Sequence, residues 1–318
     1  MTALTPGRPL RLGSRRSPMA IAQSQQVADM ITERTGREVE IVGVTTLGDV
    51  SRAQLTQIGG TGVFVGALRE ALLGGEVDLA VHSLKDLPAG PAAGIVLAAV
   101  PPRDDPRDAL VARDGAKLGD LPAGARIGTG SLRRAAQLLA LRGDLRCVPI
   151  RGNGGTRLQK VTDGEVDGVV LACAGLARIG SEGLITQVFE LDEMLPAPGQ
   201  GALAVECRDG EPELAGLLAA VNDEAAMAAA VAERSLLQAL AAGCSAPIGG
   251  YAVGTEQLVM RAVVLSADGT RALRASGSAA AADARQLGRD LAAELLRRGA
   301  ADLARPPQAP TSSGNDEQ

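Results

Sequence analysis

One local pattern recurs along the chain: a short aliphatic strand, a turn containing glycine, then a helix. Leu10-Arg11-Leu12 runs into Gly13-Ser14-Arg15-Arg16, and Ser17-Pro18 reads as N-cap and first helical position. Ala20, Val27 and Ile31 then share one helix face. Glu38 to Val44 is a second strand, ending at Thr45-Thr46-Leu47-Gly48-Asp49. Phe64, Ala67, Leu68, Ala71 and Leu72 follow the helical i, i+3, i+4 spacing, and Gly74-Gly75 can end that helix. Val77 to Val81 is the strand that feeds VHSLKDLP. After a loop near Pro101 to Asp108, PPRDDPRD, the pattern restarts. Ala125-Arg126-Ile127 leads into Gly128-Thr129-Gly130-Ser131, Arg146 to Ile150 into Arg151-Gly152-Asn153-Gly154, and Val169 to Ala172 into a helix carrying Arg178. Alternation of this kind predicts α/β domains with largely parallel sheets and a loop crossing between them. Ligands of such sheets bind beyond the C-terminal strand ends, where these turns lie.

From about residue 221 the pattern changes. An Ala-rich helix covers roughly Asp223 to Ala242, followed by strands near Tyr251–Val253, Gln257–Ser266 and Arg271–Ser276. Asp268-Gly269 supplies a hairpin turn, and a last helix runs roughly from Ala282 to Arg298. This part reads as a small α+β domain. The tail RPPQAPTSSGNDEQ is rich in proline and polar residues and is expected to be disordered.

Composition narrows the function. The formal charge is −5, which disfavours a general nucleic-acid binder but leaves room for a local basic cleft. The only aromatics are Phe64, Phe189 and Tyr251, so the cores must be aliphatic. Cys147, Cys173, Cys207 and Cys244 are widely spaced, His82 is the lone histidine, and a zinc site is not expected. MTALTPGRPL has no apolar signal core, and no apolar run reaches membrane-spanning length, so a cytoplasmic protein with reduced thiols is expected. No heptad or long apolar edge asks for a partner, and a monomer is expected.

The chemistry concentrates at the turns. Arg15, Arg133, Arg134, Arg151, Arg157 and Arg178 all sit at or just after a strand-to-helix turn. Any one of them is more often a solvated surface arginine. An arginine in the first helical turn opposes the helix dipole, so repeating it points to a polyanionic ligand held by bidentate guanidinium pairs. GTGSLRR lacks the G-K-[ST] of a phosphate loop, and LRLGSRRS is no dinucleotide fingerprint; several carboxylates are the better fit. Asp86 is the one acid placed among these basic turns, where as an anion it suits stabilisation of a cationic transition state. Lys85 reads either as a second carboxylate ligand or as the ion-pair partner of Asp86, and His82 as structural. Cys244, in LAAGCSAPIGG, reads on spacing alone as a structural residue in a loop.

Taken together, VHSLKDLP, IGTGSLRRAAQL, RGNGGTRL, LACAGLARIG, LPAPGQGALAVECR and GCSAPIGGYA resemble the porphobilinogen deaminase (hydroxymethylbilane synthase) family, and LRLGSRRSPMA and GGTGVFV extend the match. The resemblance covers residues 10 to 255 strongly and the remainder more loosely. It implies an α/β fold of two lobes like those of periplasmic binding proteins, plus a small C-terminal α+β domain. The expected division is 1–101 with 201–219 as lobe 1, 102–200 as lobe 2, and 220–304 as the cysteine-bearing domain, before the tail 305–318. The implied reaction is a transferase step of tetrapyrrole (porphyrin and haem) biosynthesis. Four porphobilinogen units are joined into linear hydroxymethylbilane with release of ammonia, on a dipyrromethane cofactor held by a cysteine thioether. By position, the resemblance makes Cys244 the attachment residue and Asp86 the catalytic carboxylate. It assigns Arg15, Ser83, Lys85, Thr129, Ser131, Arg133, Arg134, Arg151, Arg157 and Arg178 to the acetate and propionate groups, with Asn153, Gln200 and Phe64 as further cleft positions. A grown chain of six rings carries about twelve carboxylates, which accounts for several arginines in one cleft.

The chain departs from the family pattern at Thr61 and Gly66, where lysine is frequent, at Gly130, where serine is frequent, and at Gly154, where an aliphatic residue is usual. Retained activity is the expectation. Three rival readings remain: a two-lobed binding protein for a polycarboxylate, a phosphate-handling transferase, and an inactive paralogue.

Overall fold

The computed structural model describes residues 8–44, 62–240 and 247–303, with the side chains of 62–64 excepted. In chain order the first elements are β1 (Leu10–Ser14), α1 (Pro18–Thr35), β2 (Val39–Gly43), α2 (Gly62–Leu73), β3 (Leu79–Ser83) and β4 (Ile95–Ala99). There follow β5 (Asp108–Ala112), β6 (Arg126–Gly128), α3 (Leu132–Leu141), β7 (Arg146–Val148), α4 (Gly154–Thr162), β8 (Gly168–Ala172), α5 (Cys173–Arg178) and β9 (Gln187–Val188). The last group is β10 (Leu203–Arg208), α6 (Pro212–Leu218), α7 (Glu224–Ala239), β11 (Ile248–Val253), β12 (Gln257–Leu265), β13 (Ala272–Ala280), α8 (Ala284–Arg297) and α9 (Ala300–Leu303).

These strands form two five-stranded sheets, β2-β1-β3-β10-β4 and β7-β6-β8-β5-β9, and an antiparallel three-stranded sheet, β11-β12-β13. The two larger sheets follow one plan. β1 runs parallel to β2 and β3, as β6 does to β7 and β8. In each sheet the fourth strand is reversed: β10 is antiparallel to β3 and β4, and β5 to β8 and β9. Each reversed strand is the one made directly after the chain crosses from the other sheet, so it enters from the opposite end. The expectation of largely parallel sheets therefore needs this one correction per lobe.

Local signals act as the sequence reading expects at the first helix. The Ser17 hydroxyl accepts from the Ala20 amide, Pro18 opens α1, and Gly36 closes it with a φ of 69°. Val27 and Ile31 turn inward onto Leu10, Leu12, Leu79 and Val205, an aliphatic core with no aromatic ring. Other boundaries move. β3 runs from Leu79 to Ser83 rather than from Val77, because its pairing with β10 continues through Ala204↔His82 and Leu203↔Ser83. Asp78, just before it, is taken by Arg8 and Arg11, each at 2.9 Å. β11 starts at Ile248 because Ile248 pairs with Val264, and β13 extends to Ala280 opposite Gln257.

The third unit packs α7 and α8 on its sheet through Ala232, Leu236, Leu258, Met260, Leu291 and Leu295, all buried. The two crossing segments meet backbone to backbone. Gly201 has a φ of 86°, and a Cβ there would stand 2.5 Å from the Asp104 carbonyl oxygen, so only glycine fits this approach.

Candidate functional site

Five of the sequence-expected residues, Lys85, Asp86, Arg134, Arg157 and Gln200, come together beside the crossing segments. β3 ends at Ser83, and a single 3-10 turn, Leu84–Asp86, carries Lys85 and Asp86. Lys85 Nζ donates to Gln200 Oε1 at 3.3 Å, and Arg134 Nη2 reaches the same oxygen at 3.5 Å. Gln200 Nε2 in turn donates to Asp108 Oδ1 and to the Pro106 carbonyl, both at 2.8 Å. Gln200 thus sits between first-lobe Lys85 and second-lobe Asp108 and Arg134, on the returning crossing segment. Lys85 makes no ion pair with Asp86 among the described residues, which removes one of its two sequence readings.

Lys85 sits among charges of both signs. Burial of its ammonium group, reinforced by the charge of Arg134, lowers its pKa to about 8, against the opposing pull of Asp86 and Asp108. Arg157, from the first turns of α4, is likewise pushed down by burial and by Arg134, and is held up by Asp86. Lys85, Asp86, Arg134 and Arg157 therefore share one electrostatic neighbourhood spanning both lobes. Arg178 lies beside it on α5, with Nη2 on Asp104 Oδ2 at 2.6 Å and on the Gly201 carbonyl at 3.0 Å. Its Nε is buried without a hydrogen-bond partner.

Asp86 differs from the other acids around it. Its carboxylate has no hydrogen-bond or ion-pair partner among the described residues. By contrast, Asp108 is ion-paired to Arg133 at 2.8 Å and Arg134 at 2.7 Å. Burial alone would raise the Asp108 pKa, but these two guanidinium groups hold it far below the usual carboxylate range. Glu233 of α7 accepts from Arg103 at 2.6 and 3.1 Å, from the Gly199 amide at 2.5 Å and from the Ala252 amide at 2.8 Å. Arg103 also lies 4.9 Å from the Tyr251 ring centre, so this hub joins both crossing segments to the third unit.

Several expected ligands carry structural duties. Arg133 and Arg134 are only 4% and 6% exposed. Arg133 Nη1 donates to Asp108 and to the Leu195 carbonyl at 2.7 Å, beneath the site rather than into it. Asn153 caps α4: its Oδ1 accepts from the Thr156 amide at 2.8 Å and hydroxyl at 3.0 Å, which commits an atom the sequence reading assigned to the cleft. Ser131 caps α3, and Thr129 is buried with its hydroxyl accepting from the Ser131 amide. Arg15 follows β1, half-buried, and Arg151 is exposed after β7. Cys244, Thr61 and the Phe64 side chain lie outside the described residues.

The sequence reading named Asp86 as the one acid among the basic turns; Asp104, Asp108 and Glu233 are corrections to that. PPRDDPRD shows Asp104 and Asp108 in one charged loop, but nothing local in it, or around Glu233, names their arginine partners. The lone histidine is structural, as expected: His82 Nε2 lies 3.3 Å from Glu206. Burial would raise the Glu206 pKa, but His82 and Arg69 together hold it at about 2. Two of the departures have steric readings. A Cβ at Gly130 would come 2.8 Å from the Ile150 carbonyl oxygen, so this backbone is fitted to glycine, whereas at Gly66 a Cβ would meet nothing within 4 Å.

Among the described residues no single helix is long and apolar enough to cross a membrane. Solved structures similar to this chain include a periplasmic substrate-binding protein of an ABC transporter from Coxiella burnetii, at 17% identity and a TM-score of 0.43, covering 67% of this chain and 91% of that one. Residues 10–216 match the family model described as porphobilinogen deaminase, dipyromethane cofactor binding domain, and residues 227–297 match porphobilinogen deaminase, C-terminal domain. Among curated relatives, porphobilinogen deaminase from Thermobifida fusca is 57% identical over 304 residues, covering 92% of this chain and 94% of its own. Porphobilinogen deaminase 1 from Streptomyces coelicolor is 53% identical over 308 residues, covering 92% and 97%. With domain matches in order along the chain and more than half of the residues shared with full-length relatives, the chain belongs to the porphobilinogen deaminase family.

Proposed function

We propose that this chain joins four porphobilinogen units into hydroxymethylbilane with release of ammonia, using Asp86 as the catalytic carboxylate and Cys244 as the cofactor anchor. The observation that carries the reading is the unpartnered Asp86 carboxylate beside Lys85 and Arg157, two cations that have no ion-pair partner among the described residues. The residues fit a polycarboxylated pyrrole. Arg178 keeps a buried Nε without a partner, and Lys85 and Arg157 are depressed first by burial and then by the charge of Arg134, so an incoming carboxylate favours their charged forms.

When bound, the dipyrromethane supplies a primer whose free ring end can be extended. The chain's own residues do the rest. Lys85, Arg134, Arg157 and Arg178 bind acetate and propionate groups, joined by Arg15, Arg151, Ser83, Thr129 and Ser131 near the same strand ends. Arg133 positions Arg134 through their shared partner Asp108, and Gln200 orients Lys85. The Asp86 carboxylate faces the pyrrole N–H of porphobilinogen and stabilises the cation left when its ammonia departs. Each addition must carry the grown chain past one aspartate, so the lobes move on the crossing segments. Lobe 1 comprises 1–101 with 201–219, lobe 2 comprises 102–200, and the anchor domain comprises 220–304. The enzyme works as a cytoplasmic monomer.

The intact mass of the purified chain tests the reading. The native protein is expected to be heavier than its sequence by two porphobilinogen units less the ammonia lost, and Cys244→Ala to have the bare mass. A native chain with no extra mass, even after incubation with porphobilinogen, sinks the assignment.

Lys85 gives a second test. Its companions Lys117 and Lys160 are the chain's other lysines, so a carbon NMR titration of labelled lysine can resolve all three. In the cofactor-free Cys244→Ala protein, Lys85 is expected to lose its proton near the value of about 8. In the native protein, nearby carboxylates favour the charged form, and the midpoint rises toward the ordinary lysine value of about 10.4. The same midpoint in both proteins would mean that no polyanion sits beside Lys85.

A further inference from the structure

A cavity of about 430 Å³ lies away from the interlobe site, between the edge of the first sheet and the α7–α8 pair. Ile95 and Leu97 of edge strand β4, with Met227 and Val231 of α7, give it apolar walls. Four arginines line it: Arg69 of α2, Arg234 of α7, and Arg285 and Arg289 of α8. One acid, Glu206, shares the lining, and it is already engaged by Arg69 through hydrogen bonds of 3.0 and 2.6 Å, with His82 at 3.3 Å.

The remaining cations are not neutralised. Arg285 and Arg289 are exposed, one helical turn apart, and neither side chain has a hydrogen-bond or ion-pair partner among the described residues. Like charges at this spacing oppose the helix. Arg234 spends Nη2 on the Pro88 carbonyl at 2.8 Å, while its Nη1 is buried with no partner. A chain of net charge −5 thus concentrates uncompensated positive charge in one cavity whose walls are apolar.

We propose that this cavity is a second binding site, for a small organic anion bearing two or more carboxylates on an apolar body. The guanidinium groups match carboxylates in a bidentate way, and the β4 and α7 walls cover the hydrocarbon. A bare inorganic anion would leave those walls unused. The inference is independent of the transferase chemistry, since none of these arginines belongs to the interlobe cluster.

The test is calorimetric titration of the full chain with benzene-1,3,5-tricarboxylate, beside the Arg285→Gln/Arg289→Gln double variant and Arg157→Gln. Both α8 arginines are exposed and unpartnered, so the double variant is expected to unfold at the native temperature. Its affinity is expected to fall at least tenfold, and that of Arg157→Gln to stay within twofold. Unchanged affinity in the double variant overturns the proposal. So does loss in Arg157→Gln, which places the ligand in the interlobe cleft. Inorganic phosphate binding as tightly as the tricarboxylate overturns the proposed ligand class.

Discussion

Replacing Asp86 by asparagine is expected to lower kcat by a factor of about 10² to 10³ while leaving the fold in place. The magnitude is that of removing one preorganised electrostatic group from developing charge in a water-poor site. The spared fold follows from geometry. The Asp86 carboxylate accepts no hydrogen bond and makes no ion pair among the described residues, and the amide side chain is the same size. Thermal unfolding is therefore expected within the small range of substitutions that touch no named interaction. Asp86→Glu keeps the charge but moves it by a methylene, and is expected to retain more turnover than Asp86→Asn. Steady-state consumption of porphobilinogen, with intact mass to verify that the cofactor is attached, separates loss of chemistry from loss of primer. Near-native kcat in Asp86→Asn would remove the carboxylate from the mechanism and leave the arginine cluster as a binding site alone.

The contrast between Asp86 and its neighbours also explains what the sequence could and could not disclose. Arg133 and Arg134 were legible because they break a local rule, as cations in the first turn of α3, and because arginines recur at the neighbouring turns; Arg178 does not share the breach, since it closes α5, where a cation suits the dipole. Ser17-Pro18 was legible as a cap for the same local reason. Asp108 and Glu233 were not, because what defines them is non-local. Asp108 meets arginines 25 and 26 positions away, and Glu233 meets an arginine 130 positions away. Strands β4 and β5 were missed because neither feeds a helix, so the strand–turn–helix pattern passes over them. Their pairing with strands far along the chain makes them. Arg133 and Arg134 show the same limit from the other side. Adjacent in sequence and alike in type, they divide: Arg134 reaches Gln200 at the site, while Arg133 turns to the Leu195 carbonyl beneath it.

Asp108→Ala is expected to be among the most destabilising single substitutions in the second lobe, and to cost activity through the same contacts. The carboxylate is 0% exposed and is the anion between two buried arginines. Burial already pushes the Arg133 pKa down despite Asp108, so this guanidinium has little margin. Removing the acid leaves two cations confined without a counter-charge, and breaking a buried pair in this way costs about 3–5 kcal/mol. In a lobe-sized unit that corresponds to a fall in Tm of roughly 10 °C or more. Gln200 also loses its Asp108 acceptor, which loosens its hold on Lys85 and Arg134, so KM for porphobilinogen is expected to rise at temperatures where the variant is still folded. The pH dependence has a definite sign. The folded pKa of Asp108 is lowered, so its stabilisation is present above the unfolded value of about 3.9 and drains away as pH falls through the lower folded value. Acid unfolding of the native chain should steepen below that point, and Asp108→Ala should lack this limb. A triple variant, Asp108→Leu with Arg133→Met and Arg134→Met, removes all three charges and is expected to recover much of the lost stability while remaining inactive. If Asp108→Ala unfolds at the native temperature, the buried ion-pair account of this lobe fails. If the triple variant is no more stable than Asp108→Ala, the cost lies in packing rather than in uncompensated charge.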